Sequence, residues 1–290
     1  MGQGRRPGHQ CRSRGHHPEL EPPALSEHAF LDLAVPAIAG LLGTAIGSFL
    51  NVVAHRVPAG GSVVRPPSAC PACGHPIRAR HNVPVLGWVM VRGRCFDCGA
   101  PISARYPLVE AGTGLAFALV VVRLGADPDG LRLLPAYLTF AAVAIALALI
   151  DLDVHRLPDA IVLPSYPVLA VLLALGGDGP ALLRAATGAV VLGLFFLVVW
   201  YVAPGGMGFG DVKLSGLVGA MTAYLTWGTF LVGAFLGFVL GAVAGVLLMA
   251  AGRAGRRTAL PFGPFLVLGA WSAILGAGDL GDLYLASLGF

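Results

Sequence analysis

The chain has 290 residues, of which 56% are hydrophobic and 12% charged, and its mean hydropathy of +0.79 lies far from the usage of soluble domains. Apolar runs near bilayer-crossing length recur along most of it, and they lack the polar faces that helices of a large soluble core would carry. The net charge of +4 rests almost wholly on arginine, Lys213 being the one lysine; the basic residues sit mainly in two loops, which suits membrane orientation and anionic lipid and points to no nucleic acid partner.

Taken in chain order, residues 1–28 are rich in Arg, His, Pro and Glu without an apolar period, and carry neither the apolar core nor the cleavage site of a signal peptide. They read as a disordered tail, with a composition consistent with an upstream start codon, and no role is assigned to Cys11. Membrane spans are expected near 30–54, 107–125, 132–151, 160–176, 181–203, 212–226, 228–251 and 261–287. The predicted fold class is therefore all-α: a polytopic membrane helical bundle of about eight transmembrane helices. Its expected domains are a first transmembrane helix at 29–55, a small loop domain at 56–106, and a second transmembrane domain at 107–290.

Orientation follows from charge. The segment 56–106 holds Arg56, Arg65, Arg78, Arg80, Arg92, Arg94 and Arg105 against one acid, Asp97, and so faces the cytoplasm. Eight crossings then put the loop with Arg253, Arg256 and Arg257 on the same side, together with the connections 151–160 and 204–212.

Cys70-Pro-Ala-Cys73 and Cys95-Phe-Asp-Cys98 are two CxxC pairs, each followed by glycine (Gly74, Gly99). Two such turns can each present two thiolates, and four sulfurs satisfy tetrahedral zinc. A metal would also supply folding energy to a loop with little apolar content. Stable disulfides do not suit a reducing compartment, no βαβ context supports thioredoxin-like chemistry, and four sulfur ligands leave no open position for water. A structural zinc site is expected at Cys70, Cys73, Cys95 and Cys98.

The third span ends AIALALI-Asp151-Leu-Asp153-Val-His155-Arg-Leu-Pro158-Asp159, placing a carboxylate where an apolar helix reaches the interface, either as an interface marker or as a functional group. A second acid, Asp211, stands in Gly208-Phe-Gly210-Asp211, after Pro204-Gly205-Gly206-Met207 and just before Lys213. The glycines, Gly208 and Gly210 above all, are expected to free the backbone and let Asp211 come beside another segment. Two such carboxylates suit the aspartic mechanism, in which one ionised group activates water while a protonated partner polarises the scissile carbonyl. No HExxH or GxSxG is present, and each cysteine lies in the cluster or the tail. Asp153 is the rival to Asp151, which lies nearer the hydrocarbon; Asp159 is expected to be an N-cap, and Lys213 either to pair with Asp211 or to snorkel.

These residues closely resemble the bacterial type IV prepilin peptidases, prepilin leader peptidase/N-methyltransferases of the GxGD-type membrane aspartyl proteases. The resemblance runs from Gly47-Ser-Phe-Leu-Asn51-Val-Val and Arg56-Val-Pro58, through both CxxC pairs and Arg105-Tyr-Pro-Leu-Val-Glu110, to Asp151 with Leu157-Pro158-Asp159, Gly208-Phe-Gly-Asp211 and Pro261-Phe-Gly-Pro264-Phe, about residues 40 to 270. It implies catalytic aspartates at Asp151, rather than Asp153, and at Asp211. It implies prepilin or pseudopilin substrates of type IV pili or type II secretion, cut after a glycine that precedes an apolar helix, at the cytoplasmic face of a bacterial inner (plasma) membrane. The four-cysteine loop of the subgroup implies N-methylation of the new N-terminus with S-adenosylmethionine, although no GxGxG-type methyl-donor loop is evident. The leading alternative is a membrane transporter or proton-relay protein using its intramembrane carboxylates, which leaves the cysteine loop unexplained; a noncatalytic scaffold presenting the zinc knuckle leaves the glycines at Asp211 unexplained.

Overall fold

A computed structural model describes residues 27–125, 128–202, 207–253 and 261–289. The expected tail and Cys11 therefore lie outside the described residues apart from its last two positions, as do Pro204, Gly205, Gly206, Arg256 and Arg257. Among the described residues the structure is helical, and extended pairing is confined to two isolated bridges, Ala69 with Pro76 and Arg94 with Pro101. The long helices are α1 (Glu27–Arg56), α3 (Arg105–Leu124), α4 (Pro128–Val154), α6 (Gly179–Val202) and α8 (Trp227–Ala250). Between α1 and α3 sits a five-residue helix, α2 (Leu86–Met90), for which the sequence showed no period. Two shorter helices, α5 (Asp159–Ala174) and α7 (Phe209–Leu225), complete the middle of the chain. The last expected span is broken into α9 (Gly263–Ser272) and α10 (Gly278–Ser287) by a wide turn at Ala273–Ala277, where Gly276 takes φ 145°.

Among the described residues six segments are long and apolar enough to cross a bilayer, so the expectation of eight full crossings needs refinement at α5 and α7. With 16 and 17 residues, these helices rise only about 24–26 Å, somewhat short of a typical hydrocarbon core. The reason is visible in their surroundings. Helix α7 is buried along nearly its whole length, from Leu214 through Tyr224, so protein rather than lipid meets most of its surface and its length need not match the bilayer. At its far end Arg184 donates to the carbonyls of Ala223 (2.6 Å), Tyr224 (2.5 Å) and Leu225 (2.9 Å), which caps groups that a helix end leaves without partners.

Helices α4 and α7 form the centre, with Tyr137, Phe140, Leu147 and Ile150 of one helix and Leu214, Leu217 and Met221 of the other fully buried. The Tyr137 hydroxyl donates to the Met221 carbonyl at 2.8 Å, so even the polar atom of this packing is satisfied. Helix α6 crosses α7 at Gly188 and Gly219, where a Cβ on either residue would run into the other's backbone. Lipid offers no hydrophobic drive for helix pairing, and this contact relies instead on close backbone approach.

Candidate active site and cysteine centre

Because successive helices alternate in direction, the end of α4 and the start of α7 reach the same end of the bundle. There they flank an open cleft of about 950 Å³ lined by Asp151 and Asp211, with the segment 154–159, residues 207–210, Lys213, and Val57 and Pro58 just past α1. Pro261 and Phe262, leading into α9, complete it. Both acids are nearly buried, at 5% and 6% exposure, and each lies within electrostatic reach of the other. Residues 60 positions apart in the numbering of Asp151 and Asp211 are thus brought to one site.

Each carboxylate is held by a helix start. The Gly263 amide, first residue of α9, donates to Asp151 Oδ2 at 3.1 Å, and the Gly208 amide, N-cap of α7, donates to Asp211 Oδ2 at 3.2 Å. Free amides at helix N-termini favour negative charge, so both acids are oriented with one oxygen anchored. Below Asp151, α4 ends as His155 turns to φ 53° and its amide bonds the Asp151 carbonyl at 2.9 Å, a left-handed helix stop.

The glycines act by proximity rather than by unusual backbone. Gly208 has φ −75° and ψ 148°, which any residue can adopt, and a Cβ there would meet nothing nearer than Asp211 Oδ2 at 3.6 Å. Gly210 is different: a Cβ would lie 2.8 Å from that of Leu157, so its bare backbone lets α7 approach the 155–158 turn. Gly263, to which the sequence attaches no role, is as tight and touches the acid itself, since a Cβ would sit 2.8 Å from Asp151 Oδ2. Its only sequence signal is the Pro-Phe-Gly-Pro start of a helix.

The remaining acids have other partners. Both oxygens of Asp153 are engaged by Arg105, at 2.6 and 2.7 Å, and Asp153 does not line the cleft. Asp159 is not the expected N-cap: Pro158 holds that position and Asp159 is the first residue of α5. Its carboxylate pairs with Lys213 Nζ at 2.6 Å, so Lys213 neither pairs with Asp211 nor snorkels free. Lys213 also lies 5.0 Å above the Phe209 ring, and its carbonyl accepts from the Tyr166 hydroxyl at 2.7 Å, which ties α5 to the start of α7.

The second constellation is the cysteine cluster. Cys70, Cys73, Cys95 and Cys98 present sulfurs within 4.8 Å of one another, with Cys70 to Cys98 at 3.8 Å and Cys73 to Cys95 at 4.0 Å. A tetrahedral zinc with bonds of about 2.3 Å requires sulfurs about 3.8 Å apart, whereas a disulfide requires about 2.05 Å. The two turns repeat each other. Gly74 and Gly99 both take φ 72°, the Gly74 and Gly99 amides bond the carbonyls of Cys70 (2.8 Å) and Cys95 (2.9 Å), and the Cys70 and Cys95 amides bond His75 (2.9 Å) and Ala100 (2.7 Å). Amides of Cys73 and Ala72 hold the Cys70 thiol down to about 7. The Cys73 thiol, although the His75 amide favours its ionisation, is pushed up to about 12 by desolvation and by the neighbouring thiols. Four thiols so close resist joint ionisation, and a cation among them removes that conflict. The residues present therefore fit a metal ion.

Fold and sites together define a polytopic membrane protein that gathers two buried acids at one end of its bundle, beside a four-cysteine loop. Residues 41–124 match the Bacterial Peptidase A24 N-terminal domain, and residues 138–249 match the Type IV leader peptidase family. The chain is similar to a prepilin leader peptidase/N-methyltransferase of Pseudomonas putida, 39% identical over 87% of this chain and 94% of that protein. Proteins of the same name from Myxococcus xanthus (42% identical; 75% of this chain, 64% of that protein) and Aeromonas hydrophila (36%; 85% and 92%) are also similar to it. No solved structure matches. The chain belongs to the type IV leader peptidase family, and it is a membrane enzyme of that family.

Proposed function

We propose that this enzyme cleaves the leader peptides of type IV prepilins or pseudopilins at the cytoplasmic face of a bacterial inner membrane, with Asp151 and Asp211 as its catalytic pair, and then methylates the new N-terminal amine. The observation that carries the reading is the meeting of two nearly buried acids in one open cleft, in a chain whose relatives bear that enzyme's name. Orientation is supported by the arginine excess of the loop at this end of the bundle.

Two carboxylates sharing a cleft share one proton. The ionised member takes a proton from water, whose oxygen forms a bond to the scissile carbonyl carbon while the protonated member gives its proton to the carbonyl oxygen. Collapse of the tetrahedral intermediate breaks the C–N bond as a proton passes to the leaving amine. The amides of Gly263 and Gly208 keep one oxygen of each acid fixed, leaving the other free for water and substrate.

Zinc suits the four thiolates in a structural role: Cys70, Cys73, Cys95 and Cys98 would hold it, and it would tie the 70–73 and 95–98 turns together where the loop has little core of its own. S-adenosylmethionine as methyl donor rests on the relatives' name; no residue set among the described residues is assigned to it, and no step is derived through it. The test is incubation of purified enzyme with a prepilin and mass spectrometry of the product. Wild type should yield a shortened, N-methylated chain. Asp151→Ala and Asp211→Ala should leave the precursor intact while methyl transfer to a mature N-terminus persists; precursor cleavage by either variant would defeat the assignment.

A further inference from the structure

The cysteine loop carries a feature that neither metal binding nor peptide cleavage uses. Leu86, Val89 and Met90 are 61%, 57% and 63% exposed, and their i, i+3, i+4 spacing puts them on one face of α2. The opposite face is the packed one. Gly87 is buried, and the Trp88 indole donates to the Ile102 carbonyl at 3.0 Å. Three large apolar side chains exposed together on one face of a helix, in an arginine-rich loop, call for a partner.

The position of α2 indicates which partner. Its N-terminus is pinned to a membrane span: the Val85 amide donates to Glu110 Oε2 at 2.6 Å, and Glu110 is a buried residue of α3. Val85 takes φ 61° and ψ −54°, with the Leu86 amide bonding the Pro84 carbonyl at 2.6 Å. This γ-turn is unfavourable for a branched side chain and persists only where its surroundings hold it. Glu110 lies five residues past Arg105, the first residue of α3, or about 7–8 Å along the axis, which is close to the depth of a headgroup layer. Beyond α2 follow exposed Arg92 and Arg94, in position for lipid phosphates.

We propose that α2 is an interfacial anchor: its Leu86, Val89 and Met90 face lies in the headgroup–acyl boundary of the leaflet on the cleft side, and Arg92 and Arg94 bind anionic headgroups beside it. The loop is thereby fastened at three places, to α1, to α3 and to the lipid surface. This inference rests on the spans and the loop alone and is independent of the peptidase reading.

The test replaces Val89, Met90 or, for comparison, Ala72 of the first cysteine turn with benzoylphenylalanine in the full-length enzyme. Each variant is placed in nanodiscs of phosphatidylethanolamine and phosphatidylglycerol, with and without a prepilin, and irradiated. Lipid adducts are expected at 89 and 90 at least about fivefold above those at 72, irrespective of prepilin. In wild-type background the yield at 90 should fall at least twofold when phosphatidylcholine replaces phosphatidylglycerol, and Arg92→Gln with Arg94→Gln should abolish that difference. Adducts to prepilin or to a second copy of the enzyme in place of lipid would overturn the proposal, as would equal lipid labelling at all three positions. Retained metal content in each variant establishes that the loop is folded.

Discussion

An acid inside an apolar bundle is useful for peptide hydrolysis only if it is kept from cations and held in one orientation. For Asp151 and Asp211 an amide fixes one oxygen of each acid, and two cations at this end of the bundle are engaged by other acids, Arg105 by Asp153 and Lys213 by Asp159. Two glycine substitutions separate this account from a general need for flexibility. Gly263→Ala places a methyl 2.8 Å from Asp151 Oδ2, and cleavage should fall by at least about 100-fold, in line with the worth of a positioned acid–base group. Gly208→Ala meets nothing nearer than 3.6 Å, at φ −75° and ψ 148°, a backbone open to any residue, and should retain cleavage within about threefold. Initial rates on one prepilin compare the two directly.

At the scale of elements, α7 is the part on which the site depends, since its first turn carries Asp211 and its last turn is buried. Arg184 satisfies three carbonyls at that last turn. Arg184→Met should cost roughly 2–4 kcal/mol, the penalty for carbonyls left partly unsatisfied, and should lower the thermal midpoint in detergent without changing the cleavage site. The cysteine turns have a different dependence. Cys73→Ser removes one of four sulfurs that lie within 4.8 Å of one another, so bound zinc by elemental analysis should drop to below half, accompanied by lower folding yield; a chain that keeps full metal content would contradict the assigned ligand set. These elements were legible to different degrees. The CxxC turns declare themselves because both ligands of each pair are neighbours in sequence. The start of α7 was visible through its glycines, but the reason given for them held only for close approach at Gly210, not for backbone freedom at Gly208. Helix α2 is too short to display a period, and the break after α9 hangs on the single residue Gly276.

For the whole molecule, alternating helix direction converts a sequence pattern into a site. The ends of the main spans were readable to within a few residues from hydropathy, and the shared face of the two acids followed from counting crossings. Helices α5 and α7 are shorter than full spans, yet each reverses the chain, so the two acids still reach one end of the bundle. What counting could not supply is tertiary contact: the Gly263 amide reaches Asp151 across 112 positions, and no local pattern encodes that meeting. The same holds for the engagement of Asp153 by Arg105, 48 positions away, which frees Asp151 from its rival. The most direct test of the central claim, that Asp151 and Asp211 work as one unit, is a double-mutant cycle on prepilin cleavage using Asp151→Asn, Asp211→Asn and the combined variant, each verified for fold and metal content. Residues that act as one unit are strongly non-additive: each single variant should lose as much activity as the double, whereas substantial cleavage by either single variant, or losses that multiply in the double, would contradict the account.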